Sequence, residues 1–244
     1  MEYLQINDEN YKKFLQNKKV AIIGPAESVF FSEKGKYIDS FDIVVRINRG
    51  IEMINGNESF IGSYTNVLYN SLDFDPNSGG ILKGVDDEIK FICCPYPIEK
   101  GTFRGAPKSI FDKFNIRFIN TDVYNQIKSN TNSSLNSGFG AIIDILQYDI
   151  QQLYITGIDF YRSLYSSKYP SQTGKMDTSG GFDMVEKVLE FIENPNNPRY
   201  HNPDRQYIEF KKIVNSDNRI ELDPFLTKII KDNRYDEWDT IPKN

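Results

Sequence analysis

Short apolar runs, each followed by glycine, proline or a polar residue, recur along the chain and constrain its fold more than any other feature. The five clearest runs are Val20–Ile23, Ile43–Ile47, Asn66–Leu68, Phe91–Cys94 and Leu153–Thr156. Runs of this length and composition are typical of strands that are buried on both faces of a parallel sheet. Two weaker candidate strands are Phe118-Ile119 and Ile220–Leu222.

Helical periodicity lies between the apolar runs, most clearly at Gly138–Gln147, Met184–Glu193 and Asp204–Val214. Alternation of strands and helices predicts an α/β fold with a Rossmann-like, mostly parallel sheet flanked by helices. The chain of 244 residues contains no internal repeat and no low-complexity linker, so we expect a single domain over residues 1–244.

Charge, cysteine pattern and the length of the apolar runs restrict the partners and the location of the protein. The net charge is −5 and no cluster of Lys and Arg is visible, which argues against a nucleic-acid partner. The adjacent Cys93 and Cys94 would point to opposite faces of a strand, which argues against a metal knuckle and favours a reducing compartment. Because no apolar run reaches 18 residues, we expect no transmembrane segment and a cytoplasmic protein, free or peripheral at the inner membrane face. Homo-oligomerisation stays open.

The residues that follow the apolar runs are the first candidates for a binding site: Gly24, Asn48, Asn70 and the Gly157-Ile-Asp159 turn. Ligands of open α/β sheets bind beyond the carboxyl ends of the strands, where these residues would meet. The alternative is that they are simply turn-forming residues. Gly24 would let the backbone approach a phosphate, but its surroundings match neither the dinucleotide nor the P-loop motif, which disfavours a dehydrogenase or an ATPase.

The charged residues near these turns are expected to have structural roles. Arg46 is expected to form a structural ion pair with Asp39 or Asp42, whereas Asn48 is a candidate ligand contact. Asp73 and Asp75 form an Asp-x-Asp pattern that indicates a turn, so no metal site is predicted.

Ser137-Gly138 precedes an apolar helix, where the Ser is either an ordinary N-cap or part of an anion site at the helix N-terminus. His201 is the only histidine, and Asn202 and Pro203 after it would cap and open another helix. That position favours the neutral imidazole that a general base requires, although a lone His is more often an ordinary residue. The polar stretch before it predicts a lid over about residues 161–200.

Together these residues resemble sialyltransferases. The similarity is closest to the small bacterial lipooligosaccharide sialyltransferases, in NSGFGAIIDILQYDIQQLYITGIDFY and RYHNPDRQYIEFKKIV. The segment KKVAIIGPAES…YIDSFDIVVRINRG also resembles the L motif of animal sialyltransferases. The H-x4-E of the animal motif is replaced by His201-x4-Gln206, as in a bacterial type of His helix.

The resemblance implies a fold of the sialyltransferase-type GT-A variant, with no need for a cofactor or metal. It also implies that the protein transfers sialic acid, or a related 2-keto sugar acid such as Kdo, from its CMP donor to a glycan acceptor, with inversion of the anomeric centre. It implies that His201 is the base, and that Tyr161 and a second tyrosine, Tyr169 in preference to Tyr165, bind the departing phosphate. The implied donor-binding residues are Gly24, Asn48, Asn70, Ser137, Gly138, Gly157, Asp159 and Phe160. Transfer from another nucleotide sugar and a non-catalytic nucleotide- or glycan-binding protein are the alternatives.

Overall fold

The computed structural model describes residues 8–73, 80, 82, 84–98, 109–163, 166–169 and 201–235. Within these residues, seven parallel strands form one sheet in the order β5-β4-β3-β2-β1-β6-β7. The strands are β1 Lys19–Ile23, β2 Ile43–Ile47, β3 Val67–Tyr69, β4 Phe91–Cys94, β5 Ile116–Phe118, β6 Gln152–Thr156 and β7 Ile220–Leu222. The predicted parallel α/β sheet is therefore confirmed, although β5 overlaps the predicted run only at Phe118.

Helices of the described residues flank both faces of the sheet. They are α1 Asp8–Leu15, α2 Gly35–Ile38, α3 Glu58–Ile61, α4 Ser109–Lys113, α5 Thr121–Thr131, α6 Ser137–Ile145, α7 Pro203–Ser216 and α8 Pro224–Lys231, with 3-10 helices at Glu27–Phe31, Asn48–Met53 and Asn233–Tyr235. α6 and α7 confirm two predicted helices, while the third, at 184–193, lies outside the described residues. None of the described helices is both long and apolar enough to cross a bilayer.

The mixed charges from Lys228 onward suggest a solvated tail, but the described part of that segment, residues 228–235, continues α8 and then forms a 3-10 helix. α8 instead buries Leu226, Ile229 and Ile230 against the main core. Their spacing of three and four residues places them on one helix face, and burial of that face outweighs the exposed charges of Lys228 and Lys231.

Alternate residues of each strand enter the cores on opposite faces of the sheet. The larger core packs against α1, α5, α6, α7 and α8. The opposite face is covered by α2, α3, α4 and the first two 3-10 helices. Cys93 lies in the first core and Cys94 in the other, both as free buried thiols, as predicted from their adjacency in a strand.

The order in which the parallel strands are added to the sheet reverses after β5. Strands β1 to β5 lie side by side from the middle of the sheet to one edge, and β6 then pairs with the other side of β1. Gly24 and Gly157, at the carboxyl ends of these two strands, are in contact: a Cβ on Gly24 would lie 2.0 Å from the carbonyl oxygen of Gly157, whose own φ is +68°. Only glycine allows this approach, which brings the two strand exits together at the switch point.

The expected ion pair of Arg46 is wrong. Its buried guanidinium donates instead to the carbonyl oxygens of Ile61 and Gly62, at 2.8 and 3.1 Å, and forms no ion pair with Asp39 or Asp42. Burial lowers the pKa of Arg46 to about 10. Nε donates to the Thr65 hydroxyl at 3.0 Å, while Nη1 is buried without a hydrogen-bond partner among the described residues. Neutral acceptors thus bind Nε and Nη2 without the cost of desolvating a second charge.

Candidate active site

An open cleft lies at the switch point, between the carboxyl ends of β1, β2 and β6 and the N-terminus of α6. Its space of about 470 Å³ includes the part that is open to solvent. The described residues that line it are Pro25, Ala26, Ile47, Asn48, Asn136, Ser137, Gly138, Gly157, Ile158, Asp159, Phe160, Tyr161 and Ser163. Seven predicted site residues are thus brought together here, whereas Gly24, Asn70, Tyr169 and His201 lie outside this lining.

Asn48 joins three elements at one wall of the cleft. Its Nδ2 donates to the Ser137 hydroxyl at 3.3 Å, and its Oδ1 accepts from the backbone N–H of Ser71 at 3.0 Å. The residue has a φ of +48°, a left-handed conformation that Asn tolerates better than most residues. The ends of β2 and β3 are thereby linked to the start of α6.

The N-terminus of α6 faces the cleft with small residues. Its cap is Asn136, whose side chain accepts from the Phe139 N–H at 2.8 Å, so the interpretation of Ser137 as the N-cap is wrong. Ser137 is the first helical residue, and its hydroxyl is hydrogen-bonded by Asn48 and Tyr96. A Cβ on Gly138 would lie 3.1 Å from Ile158. Backbone N–H groups and the helix dipole make this end of the cleft suitable for an anion.

Phe160 and Tyr161 are consecutive left-handed residues at the exit of β6, with φ of +55° and +64°. Six described non-glycine residues have positive φ, and three of them, Asn48, Phe160 and Tyr161, line the cleft. Strained backbone of this kind persists only where surrounding contacts impose it, and it concentrates at functional sites. The Phe160 ring supplies such contacts, since it packs against Phe139, Tyr207 and Phe210.

Asp159 is a buried carboxyl group in the cleft wall. Its Oδ2 accepts hydrogen bonds from the hydroxyls of Ser28 and Ser163. Burial raises its pKa to about 6, against the lowering effect of these bonds. The carboxyl group therefore ties the 3-10 helix after β1 to the loop after β6.

His201 directly precedes α7, and Asn202 and Pro203 cap and open that helix as predicted. Its Nδ1 lies 2.9 Å from the carbonyl oxygen of Ser134. A carbonyl only accepts, so Nδ1 carries the proton and Nε2 is the basic nitrogen of the neutral ring. Ser134 lies two residues before Asn136, so the imidazole is fixed against the loop that leads into the cleft.

Gln206 reinforces this loop from the next turn of α7. Its Nε2 donates to the carbonyl oxygen of Ser134 at 2.7 Å and to Ser133 Oγ at 3.1 Å, while its Oε1 accepts from the Asn136 N–H at 3.2 Å. Only an amide both donates and accepts in this way. His201 and Gln206 therefore share one carbonyl.

Tyr169 reaches the same sheet edge from the opposite face. Its ring packs against the core around Ile23 and Val44, and its hydroxyl accepts from the N–H of Arg49 at 3.4 Å. Burial raises its pKa to about 12, so the phenol is neutral at pH 7. Ser166 holds the segment near the cleft through an N–H bond to the Pro25 carbonyl at 3.0 Å. Tyr165 and residues 170–200 of the predicted lid lie outside the described residues.

Gly24 and Asn70 lie behind the cleft lining. Gly24 serves the contact with Gly157 described above. Asn70 is fully buried; its Oδ1 accepts from the Leu72 N–H at 2.8 Å, and its Nδ2 has no hydrogen-bond partner among the described residues. Most buried polar side-chain atoms have a hydrogen-bond partner, so this amide departs from the usual pattern.

Tyr96 supports a residue of the cleft lining and was not indicated by the sequence. Its hydroxyl is hydrogen-bonded with Ser137, and burial raises its pKa well above the ordinary value. Tyr96 follows β4 by two residues, so the rule that strand ends supply the site could have found it. Among the described residues, no group of three or more His, Cys, Asp and Glu side chains could hold a metal ion, and Asp75 of the Asp-x-Asp pattern lies outside them.

No protein-family model and no curated protein matches the sequence. The fold matches a mammalian sialyltransferase solved in complex with Gal-beta-1-3GalNAc-ortho-nitrophenol, with a TM-score of 0.50, 15% sequence identity, and coverage of 87% of this chain and 71% of the other. A second mammalian sialyltransferase structure matches with a TM-score of 0.47, 14% identity, and coverage of 85% and 69%. The first similarity shows that the chain has a sialyltransferase-like fold.

Proposed function

We propose that the protein is an inverting glycosyltransferase that moves sialic acid, or a related 2-keto sugar acid such as Kdo, from its CMP conjugate to a glycan hydroxyl without a metal or cofactor. The observation that carries the proposal is the cleft at the switch point, which combines an anion-binding helix end with the strained Tyr161. The sialyltransferase-like fold supports it.

The donor would bind with its negative groups at the N-terminus of α6. Backbone N–H groups there, together with Asn48 and Ser137, suit a phosphate or a carboxylate. Asn70, which is fully buried at the end of β3 and outside the lining, would support this wall of the cleft; its Nδ2 has no hydrogen-bond partner among the described residues. Gly157, Asp159 and Phe160 would border the nucleotide on the β6 side of the cleft.

His201 would act as the general base. Its Nε2 would accept the proton of the acceptor hydroxyl while that oxygen attacks the anomeric carbon of the donor. The bond from this carbon to the phosphate oxygen breaks in the same displacement, which inverts the anomeric centre and leaves the electron pair on CMP. The neutral phenols of Tyr161 and Tyr169 would donate hydrogen bonds to the departing phosphate.

Release of CMP tests the proposal. The protein would be incubated with CMP-sialic acid or CMP-Kdo and a galactose-terminated disaccharide, with and without EDTA, and the product's anomeric configuration read by NMR. We expect CMP release from at least one donor, inversion, and no effect of EDTA. Loss of activity in EDTA that Mg²⁺ or Mn²⁺ restores would contradict metal independence.

Thermal stabilisation by nucleotides separates the alternatives. We expect CMP, and not UMP or NADH, to raise the melting temperature, because binding to the folded state stabilises it. Stabilisation by CMP without release of CMP from either donor would identify a non-catalytic nucleotide-binding protein. Stabilisation by UMP instead would indicate a different nucleotide-sugar donor.

A further inference from the structure

We propose that Arg162 is a positioning residue that holds Tyr161 in its left-handed conformation and in a fixed relation to α7, the helix that follows His201. The inference rests on the proposed function, since it assigns a purpose to the relation between the phenol that serves the leaving group and the base. Arg162 does not line the cleft itself.

The guanidinium of Arg162 joins the two elements directly. One amino group, Nη1, donates to the carbonyl oxygen of Phe160 at 2.8 Å, and the other, Nη2, donates to Asp204 Oδ1 at 2.7 Å. Phe160 is the residue before Tyr161, and Asp204 lies in the first turn of α7, three residues after His201. The two bonds therefore span from the strained turn to the His helix.

The surroundings of the guanidinium make this link rigid. The side chain of Arg162 is 0% exposed, and its Cζ lies 4.3 Å from the centre of the Tyr207 ring. Contact with that ring restrains the guanidinium, and the planar fork then fixes the directions of both donors. Lys could not reproduce this arrangement, because its ammonium has no fixed plane.

A second contact holds the turn from its other side. Asp159, which directly precedes the strained pair, accepts from the hydroxyls of Ser28 and Ser163. This contact fixes the turn to the exit of β1, whereas the bonds of Arg162 fix it to the start of α7. Since left-handed non-glycine residues are costly, the turn needs such support to keep its conformation.

A double-mutant cycle on turnover tests the role. We expect Arg162→Met to lower kcat by about 10- to 100-fold, the loss typical of a small misplacement of a reacting group, with a much smaller change in the donor KM. In a Tyr161→Phe background the same substitution should lower kcat by less than about 3-fold, because its effect passes through the missing hydroxyl. Arg162→Lys should regain thermal stability but not kcat. Equal losses of kcat in both backgrounds would overturn the proposal.

Arg117→Met is a matched control. Arg117 also forms a buried ion pair, with Asp144, and its Cζ lies 4.4 Å from the Tyr11 ring, but it belongs to β5, beyond the cleft. We expect this variant to lose thermal stability, while its effect on kcat is the same in the unsubstituted protein and in the Tyr161→Phe background. A coupling with Tyr161 as large as that of Arg162→Met would overturn the specific role of Arg162.

A measurement without turnover separates this proposal from the proposed function. Protein labelled with 3-fluorotyrosine would be studied by fluorine NMR, with the Tyr161 resonance assigned through Tyr161→Phe. We expect Arg162→Met to shift or split that resonance, and Arg117→Met to leave it in place. An unchanged Tyr161 signal would overturn the positioning role of Arg162 even if CMP release is observed. Absence of CMP release in the unsubstituted protein would overturn only the proposed function.

Discussion

The Nδ1 atom of His201 lies 2.9 Å from the carbonyl oxygen of Ser134, a residue 67 positions earlier in the chain. This bond fixes both the orientation of the imidazole and its tautomer, because the carbonyl oxygen can only accept a hydrogen bond. The same carbonyl receives a second hydrogen bond from Gln206. The candidate base is thus held by α7 and by the loop that precedes α6, so that its position follows that of the N-terminus of α6.

Replacement of the base should remove catalysis and spare nucleotide binding. We expect His201→Ala to lower kcat by about 10²- to 10⁴-fold, the usual contribution of a general base. The dissociation constant of CMP, measured by calorimetry, should change by less than about 3-fold, because the described cleft lining does not include His201. Full turnover in this variant would refute the assignment.

Removal of the Tyr161 hydroxyl should affect turnover and not folding. The hydroxyl belongs to a residue of the cleft lining, so we expect Tyr161→Phe to lower kcat by about 10²-fold, as for loss of one donor to a developing negative charge. The melting temperature should stay within about 2 °C of the unsubstituted protein. Tyr37→Phe is a suitable control, because Tyr37 bonds to Glu221 at the surface; its kcat should not change. A large loss of stability in Tyr161→Phe would mark Tyr161 as a core residue.

Replacement of Gln206 by Glu should disrupt the loop before α6. The carboxylate could no longer donate to the Ser134 carbonyl and would be a buried charge, so we expect the free energy of unfolding to fall by about 1–3 kcal/mol or more. Because the loop also anchors His201, kcat should fall as well. Urea unfolding and CMP release measure the two effects. Lys212→Gln, at a side chain that is 68% exposed on the same helix, should change neither appreciably; unchanged turnover in Gln206→Glu would show that the base does not need the hydrogen bonds of Gln206.

The buried carboxyl group of Asp159 should make stability depend on pH. Its pKa is about 6 in the fold against an ordinary value of 3.8, so its stabilising protonated form is fully present below about pH 4 and is lost as the pH rises through 6. Asp159→Asn mimics that neutral form. We therefore expect the variant to gain up to about 3 kcal/mol relative to the unsubstituted protein between about pH 4.5 and about pH 7.5. Urea unfolding at both pH values measures this, and a difference that does not change with pH would contradict it.

The amino-acid sequence by itself determined the strands and the edge of the sheet at which the cleft lies. Strands such as Ile43–Ile47 are encoded by local runs of apolar residues, and polar residues that follow parallel strands necessarily meet at one edge. Asn48, Gly157 and Asp159 were found in this way, and Asn202 and Pro203 marked the start of α7 through local helix-capping chemistry.

Only the tertiary structure decided which residues that are distant in the sequence form hydrogen bonds or ion pairs with one another. The carbonyl partners of Arg46, the bond from Arg162 to Asp204, and the bond from His201 to Ser134 depend on how helices settle on a sheet of order β5-β4-β3-β2-β1-β6-β7. Local periodicity carries no information about these pairings, because the desolvation of a buried charge can be offset by any suitably placed donor or acceptor. The sequence thus predicted the edge of the sheet where the cleft lies, whereas the packing of the helices on the sheet determined the contacts that hold the candidate catalytic residues in place.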